Sequence, residues 1–300
     1  MASPPPLHDL VAAELAEPVD PRVTEMAAAI AALYPGAARA VLFYGSCLRE
    51  RQLDGLMLDF YLIVSDYRAA YGKSWLAAAN RLIPPNVFPF EHRGLAAKYA
   101  VLSEADFARE CGASAWTASV FARFAQPSRL VWASNETARS SAVDAVAQAP
   151  ATLLDLTRRS MTDEAARDPI AIWRTAFAFT YAAELRAERG SRPGSIVDSD
   201  PERYRRFAAA LGYPRDENGT EEERRASDAA WRTAARRGKR ANAMRLLKAS
   251  FTFAGGIDYL AWKINRHAGT NIAVKPWQRR WPLVAGLILL PRLLKRGAIR

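Results

Sequence analysis

Residues 41–64 read VLFYGSCLRERQLDGLMLDFYLIV: two apolar runs, with a Gly45-Ser46 turn closing the first and a single acid, Asp59, inside the second. A glycine lets backbone N–H groups come close to a phosphate, a serine hydroxyl adds a donor, and a carboxylate on a neighbouring strand can hold a divalent cation against phosphate oxygens. Those residue types at that spacing point to the handling of a nucleoside triphosphate. Taken alone, the same pattern also fits a common turn and a structural, salt-bridged acid. A carboxylate pair two positions apart would support two-metal chemistry, but the residue two positions after Asp59 is Tyr61. Asp54, in the intervening loop, and Glu91, further along, are acids that could join Asp59, although spacing alone licenses neither.

Strands must carry both halves of this pair. AVLFYGS reads as a strand running into a turn, and Leu56 to Val64 as a second strand, antiparallel to the first or otherwise beside it. Before them, Arg22 to Leu33 is Ala-rich with helical spacing and is closed by Pro35-Gly36. After them, DYRAAYGKSWLAAANRLI reads as helix stopped at Pro84-Pro85, KYAVLS as a further strand, and SEADFARE as a helix capped by Ser103. Strand and helix so intermixed predict an α/β (α+β) unit with a mixed sheet over residues 21–140. Residues 1–20 read as a loose, Pro-rich lead without the charged start and apolar core of a signal peptide. A strand ending in Gly-Ser, followed by a strand bearing an acid, is the arrangement of the nucleotidyltransferase fold.

From about Ala142 onward the pattern is Ala/Leu-rich with helical spacing. A Gly/Ser/Pro-rich turn lies at Gly190 to Gly194, then a helix around Pro201 to Leu211, and a charged loop leads into a helix capped by Thr220. This predicts a mostly helical second domain over 141–240 and a basic segment over 241–300. The net charge of +11 is unevenly spread, because residues 231–300 hold sixteen Lys/Arg against one acid, Asp258, and the rest of the chain is mildly acidic. Such polarity suggests an anionic surface as partner.

In KPWQRRWPLVAGLILLPRLLKR the apolar run from Pro282 to Pro291 is about half of what a spanning helix requires. Trp277, Arg279, Arg280 and Trp281 precede it and Arg292, Lys295 and Arg296 follow it, the composition of an amphipathic segment lying in a membrane interface. A C-terminal helix packed on the body is the plainer alternative. Leu, Ile and Val stand where a phosphate-tracking groove would want polar and stacking residues, which argues against a nucleic-acid partner. Two cysteines, Cys47 and Cys111, are too few for a disulfide framework, and neither they nor the three scattered histidines show zinc-ligand spacing. A reducing, cytoplasmic compartment is the simplest reading, and Cys47, with no base placed near it, reads as a small packed residue.

Several motifs taken in order carry a resemblance. FYGSC and MLDFYLIV resemble the Tyr-Gly-Ser segment and the Met-(Leu/Ile)-Asp-Phe-like strand of the mitochondrial-type phosphatidate cytidylyltransferase family, also called mitochondrial translocator assembly and maintenance proteins. AKYAVLS, with Lys98, is similar to that family's Lys-Tyr-Gly-Val-Ile-Ser, and FARFAQP to its Ala-Gly-Arg-Leu-x-Lys-Pro, which places Arg123 on the family arginine. FTYAAELR resembles Ser-Tyr-x-Gly-Asp-(Leu/Phe)-Arg, with Glu184 standing for the Asp and Arg186 for the Arg; LKASFTFAGG resembles Lys-Gly-(Ile/Phe)-Phe-Thr-Ala-Gly. The resemblance covers about residues 38 to 300, and the family too lacks a strict Asp-x-Asp pair. The chain departs from it at Ala122 (Gly in the family), Gln126 (Lys) and Ala183-Glu184 (Gly-Asp), and Ala69 to Phe90 matches poorly.

The resemblance implies Mg²⁺-dependent transfer of CMP from CTP to phosphatidic acid, giving CDP-diacylglycerol and pyrophosphate, by a cytoplasmic protein peripheral on the inner face of the cell membrane. It implies Asp59 as metal ligand and, with Lys98, as catalytic residue. Tyr44, Gly45 and Ser46 would cradle the nucleotide, and Arg123 and Arg186 would bind phosphate oxygens, which a guanidinium fork suits. From residue type alone, Lys98 could equally be a solvated edge lysine and each arginine a surface or interdomain ion pair. The same fold could also serve another acceptor, a protein, a small molecule or an RNA end, or a catalytically silent membrane-associated scaffold.

Overall fold

The apolar runs around the Gly-Ser turn fold as strands β1 (Ala38–Tyr44) and β2 (Met57–Val64), paired antiparallel with Tyr44 opposite Asp59. They belong to a computed structural model that describes residues 5–50, 53–72, 74–161, 167–183, 196–213, 220–252 and 275–276. With β3 (Asn86–His92), β4 (Leu95–Ser103) and β5 (Ser128–Ala133) they form a five-stranded sheet of order β3-β4-β2-β1-β5. The β2/β4 pair is parallel and the others are antiparallel, so the sheet is mixed, as the interleaved pattern predicts. The sequence reading does not anticipate β3 or β5. Pro89 lies within β3, and a proline, which cannot donate to a ladder, is tolerated there because β3 is an edge strand.

Alternation along β2 sends Leu58, Phe60, Leu62 and Val64 to one face and Asp59, Tyr61 and Ile63 to the other. Both faces are covered by helices, which is why the strand reads as a nearly continuous apolar run. On the first face lies α2 (Pro21–Ala32), started by Pro21 and by Asp20, whose carboxylate accepts from the Arg22 amide at 2.9 Å. Met26 and Ile30 pack there against Val41, Phe43, Phe60 and Leu62. Phe60 is 1% exposed, and truncating such a side chain to alanine costs about 3–5 kcal/mol. The stretch expected as one helix after β2 is two, α4 (Tyr67–Tyr71) and α5 (Ser74–Leu82), because Gly72 takes φ 58° and ends the first in a left-handed cap.

The second face carries α1 (Leu7–Leu15), α6 (Glu104–Cys111), α7 (Phe121–Phe124), α8 (Glu136–Arg158), α9 (Pro169–Ala183), α10 (Pro201–Ala210) and α11 (Glu221–Thr252). One continuous core joins them to the sheet, running from Leu42, Tyr61 and Ile63 through Phe107 and Phe124 to Leu153 on α8, Trp173 on α9 and Tyr204 on α10. Ser103 caps α6 by accepting from the Asp106 amide at 3.2 Å. At α11 the Thr220 hydroxyl accepts from the Glu223 amide at 3.2 Å while Glu223 accepts from the Thr220 amide at 2.9 Å, a reciprocal capping box. The helix then crosses the end of α9 so closely that a Cβ at Gly238 would run into the Ala183 carbonyl. Beyond that crossing it reaches the sheet edge, where Arg245 donates to the Pro84 carbonyl at 2.7 Å and Lys248 to the carbonyls of Ile83 and Pro85. Among the described residues, no helix is long and apolar enough to cross a membrane.

Candidate active site

After Tyr44 the chain turns through Gly45 into the short helix α3 (Ser46–Glu50). Gly45 has φ 99°, and a Cβ built there would lie 3.1 Å from Asp59 Oδ2. Backbone conformation and space therefore both demand glycine. The turn and the strand acid therefore lie close together, with no room between them for a side chain at 45 unless the carboxylate shifts.

Asp59 points to the second face, the side of Tyr61 and Ile63. Its register partner on the parallel side is Lys98, whose Nζ lies 2.9 Å from Asp59 Oδ1. Because β4 runs between β3 and β2, Lys98 is no edge lysine; it is held on the carboxylate. One oxygen of Asp59 thus belongs to Lys98 and the other faces Gly45. The register places Ser128, Tyr44, Asp59, Lys98 and Pro89 in one row across all five strands.

Arg123 reaches this row from α7. It donates to the carbonyl of Ser119, to the Ser119 hydroxyl at 2.7 Å, and to the Tyr44 hydroxyl. Burial pushes the Tyr44 hydroxyl well above the usual phenol range and the Asp59 charge pushes the same way, with Arg123 opposing. Tyr44 stays protonated, a neutral link between the acid and the arginine. Tyr61 is buried beyond them, its ring centroid 5.4 Å from Tyr44 and 5.2 Å from Phe124.

Neither acid weighed as a second ligand reaches Asp59. Asp54 is exposed and bonds Arg22 Nη1 at 2.9 Å. Glu91 is exposed on β3, two strands from β2, which at the usual strand spacing is roughly 10 Å. Among the described residues, no three His, Cys, Asp or Glu side chains gather as a metal cage. Mg²⁺ commonly needs only one or two carboxylates besides water and substrate phosphates, so Asp59 meets that minimum, with the Oδ2 side left clear by the missing Cβ of Gly45.

Other residues fall elsewhere. Cys47 is buried and its thiol donates to the Met57 carbonyl at 3.5 Å, a packed residue as expected. A cleft of about 730 Å³ is lined by Phe43, Cys47, Asp54, Arg129 and Arg203. Ion pairs lace its walls, Arg203 with Glu14, Arg129 with Glu17 and Arg22 with Asp20. Arg186, Glu184 and the proposed interfacial residues Trp277, Arg279, Arg280, Trp281, Arg292, Lys295 and Arg296 lie outside the described residues. The motif reading missed Ser119 and Arg245: Arg245 Nη1 lies 3.4 Å from the Ser119 hydroxyl that Arg123 also holds. The available signal was the Arg245/Lys248 spacing, one turn apart on one helix face, but nothing in the sequence says what that face meets.

No protein-family model and no curated protein matches the chain. Among solved structures, a nucleotidyltransferase-like protein from Exiguobacterium sibiricum is similar at 12% sequence identity, covering 92% of each chain, with a TM-score of 0.28. A likeness that loose identifies neither fold nor function.

Proposed function

We propose that this chain transfers CMP from CTP to phosphatidic acid, releasing pyrophosphate and forming CDP-diacylglycerol, with Mg²⁺ as cofactor. The observation that carries the reading is the close approach of Gly45 to Asp59: a glycine turn lies beside a carboxylate whose other oxygen is held by Lys98. The ordered motif resemblance supplies the identity of donor and acceptor.

In the reaction, an oxygen of the acceptor's phosphate monoester attacks the α-phosphorus of CTP. A new P–O bond forms as the bond to the β-phosphate oxygen breaks, and pyrophosphate leaves with the electron pair. The nucleophile is already anionic near neutral pH, so no protein base and no covalent intermediate is required. Mg²⁺, held by Asp59, supplies charge neutralisation of the triphosphate when bound. Lys98 fixes the carboxylate and brings a cation to the phosphates, Gly45 lets the backbone approach them, and Arg123 offers a fork to phosphate oxygens. Catalysis of this kind is positioning and electrostatics. The basic C-terminal segment, with its tryptophans and short apolar run, would bring the enzyme to an anionic membrane where the lipid acceptor resides.

One observation favours a different reading. Tyr61, buried among aromatic rings where a second carboxylate would stand, suits a silent scaffold. The experiment is to incubate purified protein with labelled CTP, Mg²⁺ and phosphatidic acid in mixed micelles. CDP-diacylglycerol is the expected product; its absence for wild type would sink the lipid reading. Label appearing on RNA or protein would redirect the acceptor, and no triphosphate binding would leave the scaffold.

A further inference from the structure

From Ala229 to Thr252, α11 carries seven Lys/Arg and no acid. Two of the seven, Arg245 and Lys248, reach the carbonyls of Pro84 and Pro85. The other five, Arg232, Arg236, Arg237, Lys239 and Arg240, are exposed, and among the described residues no acid pairs with any of them. Spacings of three and four set Arg232, Arg236, Lys239, Arg240 and Met244 on one side of the helix, while Trp231, Gly238 and Ala241 on the other side are buried. Met244 is 48% exposed, and Leu82, next to the Ile83 carbonyl that Lys248 holds, is 77% exposed. The basic stripe thus ends at two apolar side chains standing in water where α11 meets the chain leaving α5. The helix begins instead with three exposed acids, Glu221, Glu222 and Glu223. Glu223 and Arg236 are roughly 20 Å apart along the axis at about 1.5 Å per residue, well beyond the roughly 8 Å Debye length of physiological salt. The acids therefore leave the stripe's charge standing.

We propose that this side of α11, from Arg232 to Met244 with Leu82 beside it, docks on an anionic phospholipid surface, its cations at the headgroups and its two apolar side chains just below them. The charge of the stripe calls for an anionic partner. The two apolar side chains choose a bilayer among such partners, because a nucleic acid offers phosphates but no hydrocarbon, and the stripe carries no aromatic ring on which a base could stack. The asymmetry along the helix sets its tilt: the Met244 end approaches the surface, and the Glu221–Glu223 end, of the same sign as the headgroups, stands off. Such docking rests on the membrane half of the reading above but needs no step of the transfer reaction, and it lies on α11 rather than in the C-terminal segment.

The test is co-sedimentation of the full chain with vesicles of phosphatidylcholine alone and of phosphatidylcholine with phosphatidylglycerol. Wild type is expected to sediment with the second and not the first, and to be released by added salt. Each basic residue at an anionic surface is worth about fivefold in partitioning, so Arg236→Gln, Lys239→Gln and Arg240→Gln together should weaken binding about a hundredfold. The loss should be as large in a chain that also carries Arg292→Gln, Lys295→Gln and Arg296→Gln. Leu82→Ser with Met244→Ser should weaken vesicle binding about threefold or more and leave binding to a single-stranded RNA oligonucleotide, read by anisotropy, unchanged. Equal binding to both vesicle types, a triple α11 variant that binds like wild type, or tighter binding to the RNA than to vesicles would overturn the docking face. Salt-sensitive self-association that the α11 variant abolishes, without vesicle binding, would overturn it in favour of a second copy of the chain. The substituted α11 side chains are exposed, so that variant should melt like wild type. If it melts early, the chain with only the three C-terminal changes decides: retained binding to anionic vesicles supports the α11 face and lost binding overturns it. Vesicle binding that depends on the stripe, in a chain that makes no CDP-diacylglycerol, would keep the docking face and bring down the transferase reading; product without such binding would do the reverse.

Discussion

Asp59 and Lys98 face each other across the parallel strands β2 and β4 with Nζ 2.9 Å from Oδ1, and their side chains remain 19% and 32% exposed. A pair so placed contributes about 0–1 kcal/mol to stability. Its consequence is orientation, since it turns the second carboxylate oxygen toward Gly45. Asp59→Asn, which keeps shape and loses charge, should therefore leave the melting temperature nearly unchanged and lower transferase turnover by about a hundredfold or more. Lys98→Met should also fold and lose about tenfold to a hundredfold. A melt of each variant beside the labelled-CTP assay separates the two effects, and turnover like wild type from Asp59→Asn would remove Asp59 from the chemistry.

Gly45→Ala should fail on two counts. Alanine at φ 99° costs about 1–3 kcal/mol in backbone strain. Its Cβ would also stand 3.1 Å from Asp59 Oδ2, so the carboxylate must shift. Urea unfolding should show that stability loss, and activity should fall further than the folded fraction does. Equal losses in both would mean that the glycine serves the turn alone.

Part of this was legible in the sequence and part was not, for physical reasons. Gly45 and Asp59 stood out because a polar residue in a strand covered on both faces interrupts an apolar run, and their elements are close in the chain. Ser103 and Thr220 were readable as caps because capping is local. β3 was hidden by Pro89, which local rules count against a strand until the strand is known to be an edge. The split at Gly72 was hidden by helical composition on both sides. The meeting of Lys98 with Asp59 depends on a register between strands separated by α4, α5 and β3, and that of Arg245 with Ser119 on where a 32-residue helix ends up. Neither pairing leaves a trace in local spacing.

Lys248 makes stability depend on pH in the alkaline range. Burial, with repulsion from Arg245, pushes its pKa from the ordinary 10.5 down to about 7. Between those values the unfolded chain keeps the proton and the folded chain releases it. The unfolded state then binds more protons, so stability rises with pH across that window and the penalty is complete below it. Lys248→Met removes the titrating group and should flatten the rise between pH 7 and 10.5. Thermal melts of both proteins at half-unit steps would check this, and parallel slopes would assign the dependence to other groups.

Arg203 and Glu14 tie α10 to α1 in a pair only 3% and 12% exposed. The arginine also donates to the Ala125 carbonyl at 3.0 Å and lies 4.2 Å from the centre of the Phe207 ring, so its place is fixed by three elements. Charges removed from water at this depth gain little net stability as a pair, but either one left alone is costly. Arg203→Met should strand the Glu14 carboxylate and lower stability by about 3–5 kcal/mol. Replacing both, with Arg203→Met and Glu14→Leu, should recover most of that loss, because the second change removes the stranded charge and adds apolar surface to the same core. Urea unfolding of the two single variants and the double closes the cycle. A double variant as unstable as the summed singles would show that the pair's worth lies in its separate contacts to Ala125 and Phe207, not in the burial of opposed charges.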